Sequence, residues 1–179
     1  MKRAIWLCGL VAFAVAGCKD PDDSGPAGPG RVDIEKTLVE LVRVEGIPAN
    51  GSDSAIIRVT ARDRDGRTIP NRTVAARSSN PTDTVSTELE EVRTDEDGVA
   101  EVHVWATTVG TRVISLEVQG ITMPQRPTVT FVPGDGSYLE FVEAPTIGKA
   151  GRPLRPAVRV EVKDAKGNRV TTYDEEISL

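Results

Sequence analysis

The chain has 179 residues, with 22 basic and 27 acidic side chains and a formal net charge of −5. At 39% apolar residues it is too apolar for a disordered tail, and its 16 glycines and 12 prolines are too many turn formers for a helical bundle. The acidic balance argues against a nucleic-acid partner, and one histidine with two cysteines leaves almost nothing from which to build a zinc site. We therefore predict no nucleic-acid partner, no metal and no cofactor.

Residues 1–17 have the features of an export signal. Lys2 and Arg3 precede an uncharged apolar run over residues 4–17, which is the pattern of a secretory signal peptide. The run is shorter than the roughly 20 residues that a helix needs to cross a bilayer. We expect this segment to be removed on export rather than to remain as a transmembrane anchor.

The four residues Val15-Ala16-Gly17-Cys18 resemble the lipobox of bacterial lipoproteins. The resemblance implies that Cys18 is acylated and anchors the protein in a membrane, and Lys19 behind it implies sorting to the outer membrane, with the protein facing either the periplasm or the exterior. Each buried methylene of an acyl chain contributes about 0.8 kcal/mol, so two or more chains anchor stably. Alternatively, Ala14-Val15-Ala16 fits ordinary signal cleavage, which leaves Cys18 unmodified.

Residues 18–32 are predicted to be a flexible tether. From residue 19 to residue 30 the segment consists mainly of Pro, Gly, Asp and Ser, and it has no aliphatic side chain larger than alanine. Such a composition cannot bury a core and is typical of a linker. Its expected task is spacing.

Residues 33–133 are predicted to form short strands separated by turns. Residues 34–41 are rich in β-branched side chains and are expected to form a strand, with a short amphipathic helix as the alternative. Apolar and polar residues then alternate with the period of half-buried strands, and turns containing Gly, Asp or Asn separate them. The alternating segments are residues 57–62, 73–77, 100–106 and 113–118. The size and strand spacing predict one all-β sandwich.

Four segments of this region, taken in order, resemble the bacterial immunoglobulin-like (Ig-like) domains of the invasin and intimin type, and the resemblance implies an Ig-like β-sandwich. They are residues 49–55, 63–71, 94–100 and 109–111, and residues 129–131 close the unit. The resemblance implies adhesion or surface attachment through a protein or carbohydrate ligand, although such modules also serve as inert spacers. The chain lacks the Cys…Trp…Cys pattern of antibody domains.

Residues 137–179 are predicted to be the N-terminal part of a second Ig-like domain. Residues 138–141 open it, and apolar and polar residues alternate over residues 158–163. The turn at residues 164–168 has the same Asp-x-x-Gly spacing as the turn at residues 63–66. Because this length holds only part of a sandwich, we expect a longer protein with more repeats. An alternative is that the modules are accessory to a secreted enzyme whose catalytic part lies beyond residue 179.

Catalytic residues are not predicted. His103 is the sole imidazole, and its alternate position on a strand points it outward, so no nucleophile, base and orienting group can be assembled. No G-x-S-x-G elbow surrounds any serine. The expected protein is not an enzyme.

The acidic turns carry the oxygen ligands that calcium prefers, at Asp63 and Asp65, at Asp95 and Asp97, and at Asp164. None matches the twelve-residue calcium loop, and Asp-Gly is equally what a hairpin turn requires. Turn formation is therefore the preferred interpretation, with calcium binding as the alternative.

Trp105 is the candidate interaction residue, because it is a large aromatic on the predicted outer face of a strand. It could stack on a carbohydrate or contact a protein, but the preferred interpretation is that it covers the end of the sandwich or packs on a neighbouring domain. The sequence thus predicts a non-catalytic, lipid-anchored envelope protein whose tandem modules act as a stalk or adhesion scaffold. A glycan-binding module that uses Trp105 is a further alternative.

Overall fold

A computed structural model describes residues 30–174 and 176, so the predicted signal peptide and Cys18 lie outside the described residues. Within that part of the chain, no helix is long and apolar enough to span a bilayer. The elements are β1 (Leu38–Arg43), β2 (Ile47–Pro48), β3 (Ser54–Thr60), β4 (Thr73–Ser78), β5 (Thr84–Val85), α1 (Ser86–Leu89), β6 (Val92–Arg93), β7 (Val99–Trp105), β8 (Gly110–Val118), β9 (Ile121–Thr122), β10 (Thr128–Val132), β11 (Gly136–Glu143) and β12 (Arg159–Asp164).

The first ten strands form two sheets that enclose one core. One sheet has the order β1-β3-β7-β5, and the other has the order β2-β10-β8-β4-β6, with β9 paired to β8. All neighbours are antiparallel except β2, which runs parallel to β10. Ile57 and Val102 from the first sheet and Leu116 and Phe131 from the second are fully buried in the same cluster. This arrangement confirms the predicted all-β Ig-like sandwich.

Burial alternates along the long strands as their sequences predict. On β7, residues Ala100, Val102 and Val104 face the core, while Glu101 on the other face is exposed. Because side chains of a strand point alternately to the two faces, a shift of one residue would bring the polar row into the core. The hydrophobic pattern therefore sets the register between the strands.

The start of the sandwich differs from the predicted strand over residues 34–41. The Asp33 carboxylate accepts hydrogen bonds from the backbone N–H groups of Glu35 and Lys36, at 2.9 and 3.1 Å. These local bonds hold the chain in a turn, so the strand begins only at Leu38. Val32, the last residue of the predicted tether, is 3% exposed and belongs to the core.

The two remaining strands form a separate antiparallel sheet. Leu139 of β11 lies opposite Val162 of β12. Most side chains of β11 are exposed, and Phe141 reaches 63% exposure. This two-stranded sheet corresponds to the predicted start of the second domain. It contacts the sandwich through the turn that follows β12.

Candidate functional site

Three aspartates each close a hairpin turn of the same construction. The Asp63 carboxylate accepts hydrogen bonds from the backbone N–H groups of Asp65 and Arg67, both at 2.9 Å, and the N–H of Gly66 donates to the Asp63 carbonyl. The same pair of side-chain bonds runs from Asp97 and Val99 to Asp95, and from Lys166 and Asn168 to Asp164. Each carboxylate is therefore a structural part of its own turn.

These bonds bear on the alternative of calcium binding. In every turn one carboxylate oxygen already accepts two backbone hydrogen bonds, and Asp65 pairs with Arg67 at 2.9 Å. Over residues 30–174 and 176, no three side chains of the Asp, Glu, His or Cys type are grouped so that they could hold a metal ion. The geometry favours turn formation as the role of these aspartates.

His103 and Trp105 lie side by side on the outer face of the four-stranded sheet. Both rings are half-buried, and they stack with their centroids 5.7 Å apart and an angle of 18° between their planes. Trp105 lies between Ser54 of β3 and Thr84 of β5, and His103 lies opposite Ile56. The imidazole therefore covers part of the indole, and the pair forms a single aromatic surface.

The same region holds a serine close to an imidazole. The Ser54 hydroxyl lies 3.0 Å from Nδ1 of His103, which is the distance between a nucleophile and its base in acyl transfer. Among the hydrogen bonds of the described residues, none joins a carboxylate to His103 to orient it. The pair lies on an open sheet face.

A buried ion pair, which the sequence reasoning missed, lies beneath the turn that joins β7 to β8. Arg112 and Asp83 are 5% and 7% exposed, and Nε of Arg112 donates to Oδ2 of Asp83 at 2.8 Å. Another guanidinium nitrogen of Arg112, Nη2, donates to the carbonyl and the hydroxyl of Thr108, both at 2.8 Å. The sequence feature that points to this ion pair is an arginine at an inward position of β8, on the same face as Ile114.

Asp164 lies where the second sheet meets the sandwich, and its carboxyl group is buried. Burial opposes its ionisation, but hydrogen bonds from the side chain of Asn168 and from the backbone N–H groups of Gly134, Asn168 and Lys166 outweigh that effect. The pKa of Asp164 is therefore lowered below its ordinary value. The carboxylate is the charged centre of this contact.

The comparisons with known proteins agree with the fold. The family model described as bacterial Ig-like domain (group 1) matches residues 41–132. The chain is also similar to three solved structures: invasin, described as a bacterial integrin-binding protein; InvD of Yersinia pseudotuberculosis; and FdeC, an Escherichia coli adhesin. In that order, the identities are 15%, 19% and 17%, and the TM-scores are 0.59, 0.57 and 0.57.

These matches cover 81%, 79% and 79% of this chain, but only 29%, 45% and 45% of the three solved chains. The chain thus spans less than half the length of each of these solved chains. At such identities the likeness shows the fold.

Proposed function

Because the chain belongs to the bacterial Ig-like domain family (group 1), as the match over residues 41–132 shows, we propose that it is a non-catalytic scaffold of the bacterial cell envelope. Its Ig-like modules act as a stalk that carries an adhesive or interacting surface. The observation that carries this proposal is that the chain enters the sandwich at one end and leaves it at the other.

The pairing of β3 with β7 defines the two ends of the sandwich. It runs from Ser54 opposite Trp105 to Thr60 opposite Val99. These two pairs lie roughly 20 Å apart, since a strand rises about 3.3 Å per residue. We call the end with Thr60 the proximal end and the end with Ser54 the distal end.

The chain enters at the proximal end, where the N–H of Asp33 donates to the carbonyl of Arg62 at 2.8 Å. It leaves at the distal end, because β10 finishes beside Gly110, opposite Phe131. On the proposal, an anchor before residue 33 and a module after residue 133 would lie at opposite ends of the sandwich. These entry and exit points support the proposal of a stalk.

A structural repeat supports the proposal that residues 137–179 begin a second module. The turn at Asp164 recurs 101 residues after the turn at Asp63 with the same hydrogen bonds. The bond from Val170 to Val162 likewise matches the bond from Ile69 to Ala61, both at 2.9 Å. Tandem modules built in this way extend a stalk by one sandwich length each.

Lipid anchoring at Cys18 is part of the same proposal. It is supported by the signal-like residues 1–17, by the lipobox-like residues before Cys18 and by the Pro- and Gly-rich segment up to residue 30. Mass spectrometry of the mature amino-terminal peptide tests it. We expect acylated Cys18 as the first residue; an unmodified peptide beginning at Gly17 would exclude the anchor.

For the interacting surface, we propose the pair of His103 and Trp105, with a protein partner in the first place. Invasin, which shares the fold, is described as binding integrin. Aromatic rings on an open sheet face supply the large apolar contact on which most interfaces depend. A glycan that stacks on the indole is the second candidate ligand, because a half-buried ring offers it a flat apolar surface.

The surface is tested by retention of the mature protein on panels of immobilised proteins and glycans. We expect Trp105→Ala to weaken retention by at least about tenfold, the effect of losing roughly 1.4 kcal/mol. Phe141→Ala is the matched control, because Phe141 is an exposed aromatic on the separate two-stranded sheet, away from Trp105. Equal loss in both variants, or none in either, would contradict a role for Trp105.

A further inference from the structure

We infer that Asn168 is the docking residue that fixes the second module against the distal end of the sandwich. The inference concerns the angle between the modules and holds for any ligand that the stalk presents. It rests on hydrogen bonds that join residues more than fifty positions apart in the chain.

The side chain of Asn168 binds the loop between β7 and β8 through both halves of its amide. Its Nδ2 donates to the carbonyl of Thr107 at 3.1 Å, and its Oδ1 accepts from the N–H of Val109 at 3.2 Å. Nδ2 also lies 3.5 Å from the carbonyl of Ala49. Asn168 is only 9% exposed, so these bonds are shielded from water and an unpaired partner is costly.

The loop that receives Asn168 is held in place by the sandwich itself. Arg112 donates hydrogen bonds to the carbonyl and the hydroxyl of Thr108, and buried Asp83 neutralises the charge of Arg112. The N–H of Gly51 donates to the carbonyl of Ala106 at 3.0 Å. Because these groups are ordered within the sandwich, docking of Asn168 costs little further conformational entropy on that side.

Asp164 also binds Gly134, in the segment between the two modules, at the same contact. One of its carboxylate oxygens closes the turn through Lys166 and Asn168, and the other accepts the N–H of Gly134 at 2.9 Å and the side-chain amide of Asn168 at 2.8 Å. The segment between the two modules is therefore bonded to the turn instead of swinging freely. The lowered pKa of Asp164 agrees with a carboxylate that is charged in the docked state.

The first module offers a natural comparison at the corresponding position. There the residue after the glycine of the turn is Arg67, which is exposed and pairs with Asp65 of its own turn at 2.9 Å. That turn belongs to the module that directly follows the predicted tether. We therefore assign asparagine after the Asp-x-x-Gly turn as the feature of a module that docks on its predecessor.

The test measures the distance between two spin labels by pulsed electron paramagnetic resonance. The labels are placed at the exposed positions Arg77 of the sandwich and Phe141 of the second sheet, in the mature chain with Cys18 replaced by serine. We expect a narrow distance distribution for the parent protein and one about two-fold wider for Asn168→Ala, because modules without a fixed interface move independently. Asn168→Arg, which installs the first module's residue, is expected to behave in the same way.

Arg67→Ala is the matched control, since it changes the equivalent position of the other turn and should leave the distribution unchanged. Amide exchange of β12 is measured on the same samples. A wider distribution with β12 still protected supports docking by Asn168. A distribution as narrow as that of the parent overturns it, as does broadening that appears only with loss of β12 protection, because Asn168 would then fold its own turn.

Discussion

At the scale of single residues, the distal end of the sandwich contains a buried charged pair, Arg112 and Asp83. Arg112 occupies an inward position in β8, and its guanidinium group also lies 5.9 Å from the ring centre of Phe131. The Ser78 hydroxyl donates to the same oxygen of Asp83 that Arg112 binds, at 2.6 Å. A charge removed from water in this way is tolerated only while its partner is present.

We predict that Arg112→Met lowers the free energy of unfolding by about 3–5 kcal/mol, because it leaves the buried carboxylate of Asp83 without its counter-charge. Asp83→Ala is expected to destabilise for the converse reason. The double variant should lose less unfolding free energy than the two single variants lose together. Urea unfolding of the four proteins measures this coupling, and strictly additive costs would show that the pair is not an energetic unit.

A second prediction at this scale concerns pH. The pKa of Asp164 in the folded protein is below its ordinary value of 3.8, so its charged form stabilises the fold. That stabilisation is complete above the ordinary value and is lost as the pH falls through the lowered folded pKa. The difference in Tm between the parent and Asp164→Asn should therefore be constant near neutral pH and shrink in acid. A difference that grew towards acid pH would contradict the assignment.

At the scale of elements, the hairpin turns explain why aspartate and glycine recur at a fixed spacing. In all three the glycine has a positive φ angle, +81° at Gly66, +76° at Gly98 and +84° at Gly167, where residues with a Cβ are strained. Gly66 and Gly98 differ in their surroundings. A Cβ on Gly98 would lie 2.8 Å from the backbone nitrogen of Ile69 and from Cβ of Thr68, whereas a Cβ on Gly66 would meet nothing within 4 Å.

This difference yields a matched pair of variants. Gly66→Ala is predicted to cost about 1–2 kcal/mol of unfolding free energy, because only the left-handed backbone is penalised. Gly98→Ala should cost about 1–3 kcal/mol more, because the turn must also move away from Ile69 and Thr68. Chemical denaturation measures both costs. If the two variants lost the same unfolding free energy, the close approach at Gly98 would contribute nothing to stability.

The elements also show how far the sequence leads. Strands of five or more residues were predictable because alternation needs several residues to be recognised. The two-residue strands β2, β5, β6 and β9 carry no such period, and the turn at residues 34–37 forms because the side chain of Asp33 overrides the β-branched pattern.

The site was predictable only where it depends on local pattern. The outer position of Trp105 follows from the alternation of β7, but its stacking on His103 requires the coordinates of both rings. The partners of Arg112 and Asn168 lie 29 and 59 residues away along the chain, at Asp83 and Val109. No spacing rule brings such residues together, so these contacts were beyond the reach of sequence reasoning.

At the scale of the whole molecule, the described chain enters the sandwich at its proximal end and leaves it at its distal end. The predicted lipid anchor and tether precede the proximal end of the sandwich, and the docked second sheet comes after its distal end. In such an arrangement the sandwich separates the second module from the membrane. A docked junction preserves that separation, because a free hinge would allow the second module to fold back.

The most direct test is energy transfer from a membrane dye to a label on the acylated protein in lipid vesicles. One label replaces Lys36, an exposed residue at the proximal end, and the other replaces Phe141, an exposed residue beyond the distal end. If the sandwich is a stalk, transfer is strong at position 36 and clearly weaker at position 141, because transfer falls with distance from the membrane. Equal transfer at the two positions would show that the sandwich does not hold the second module away from the bilayer.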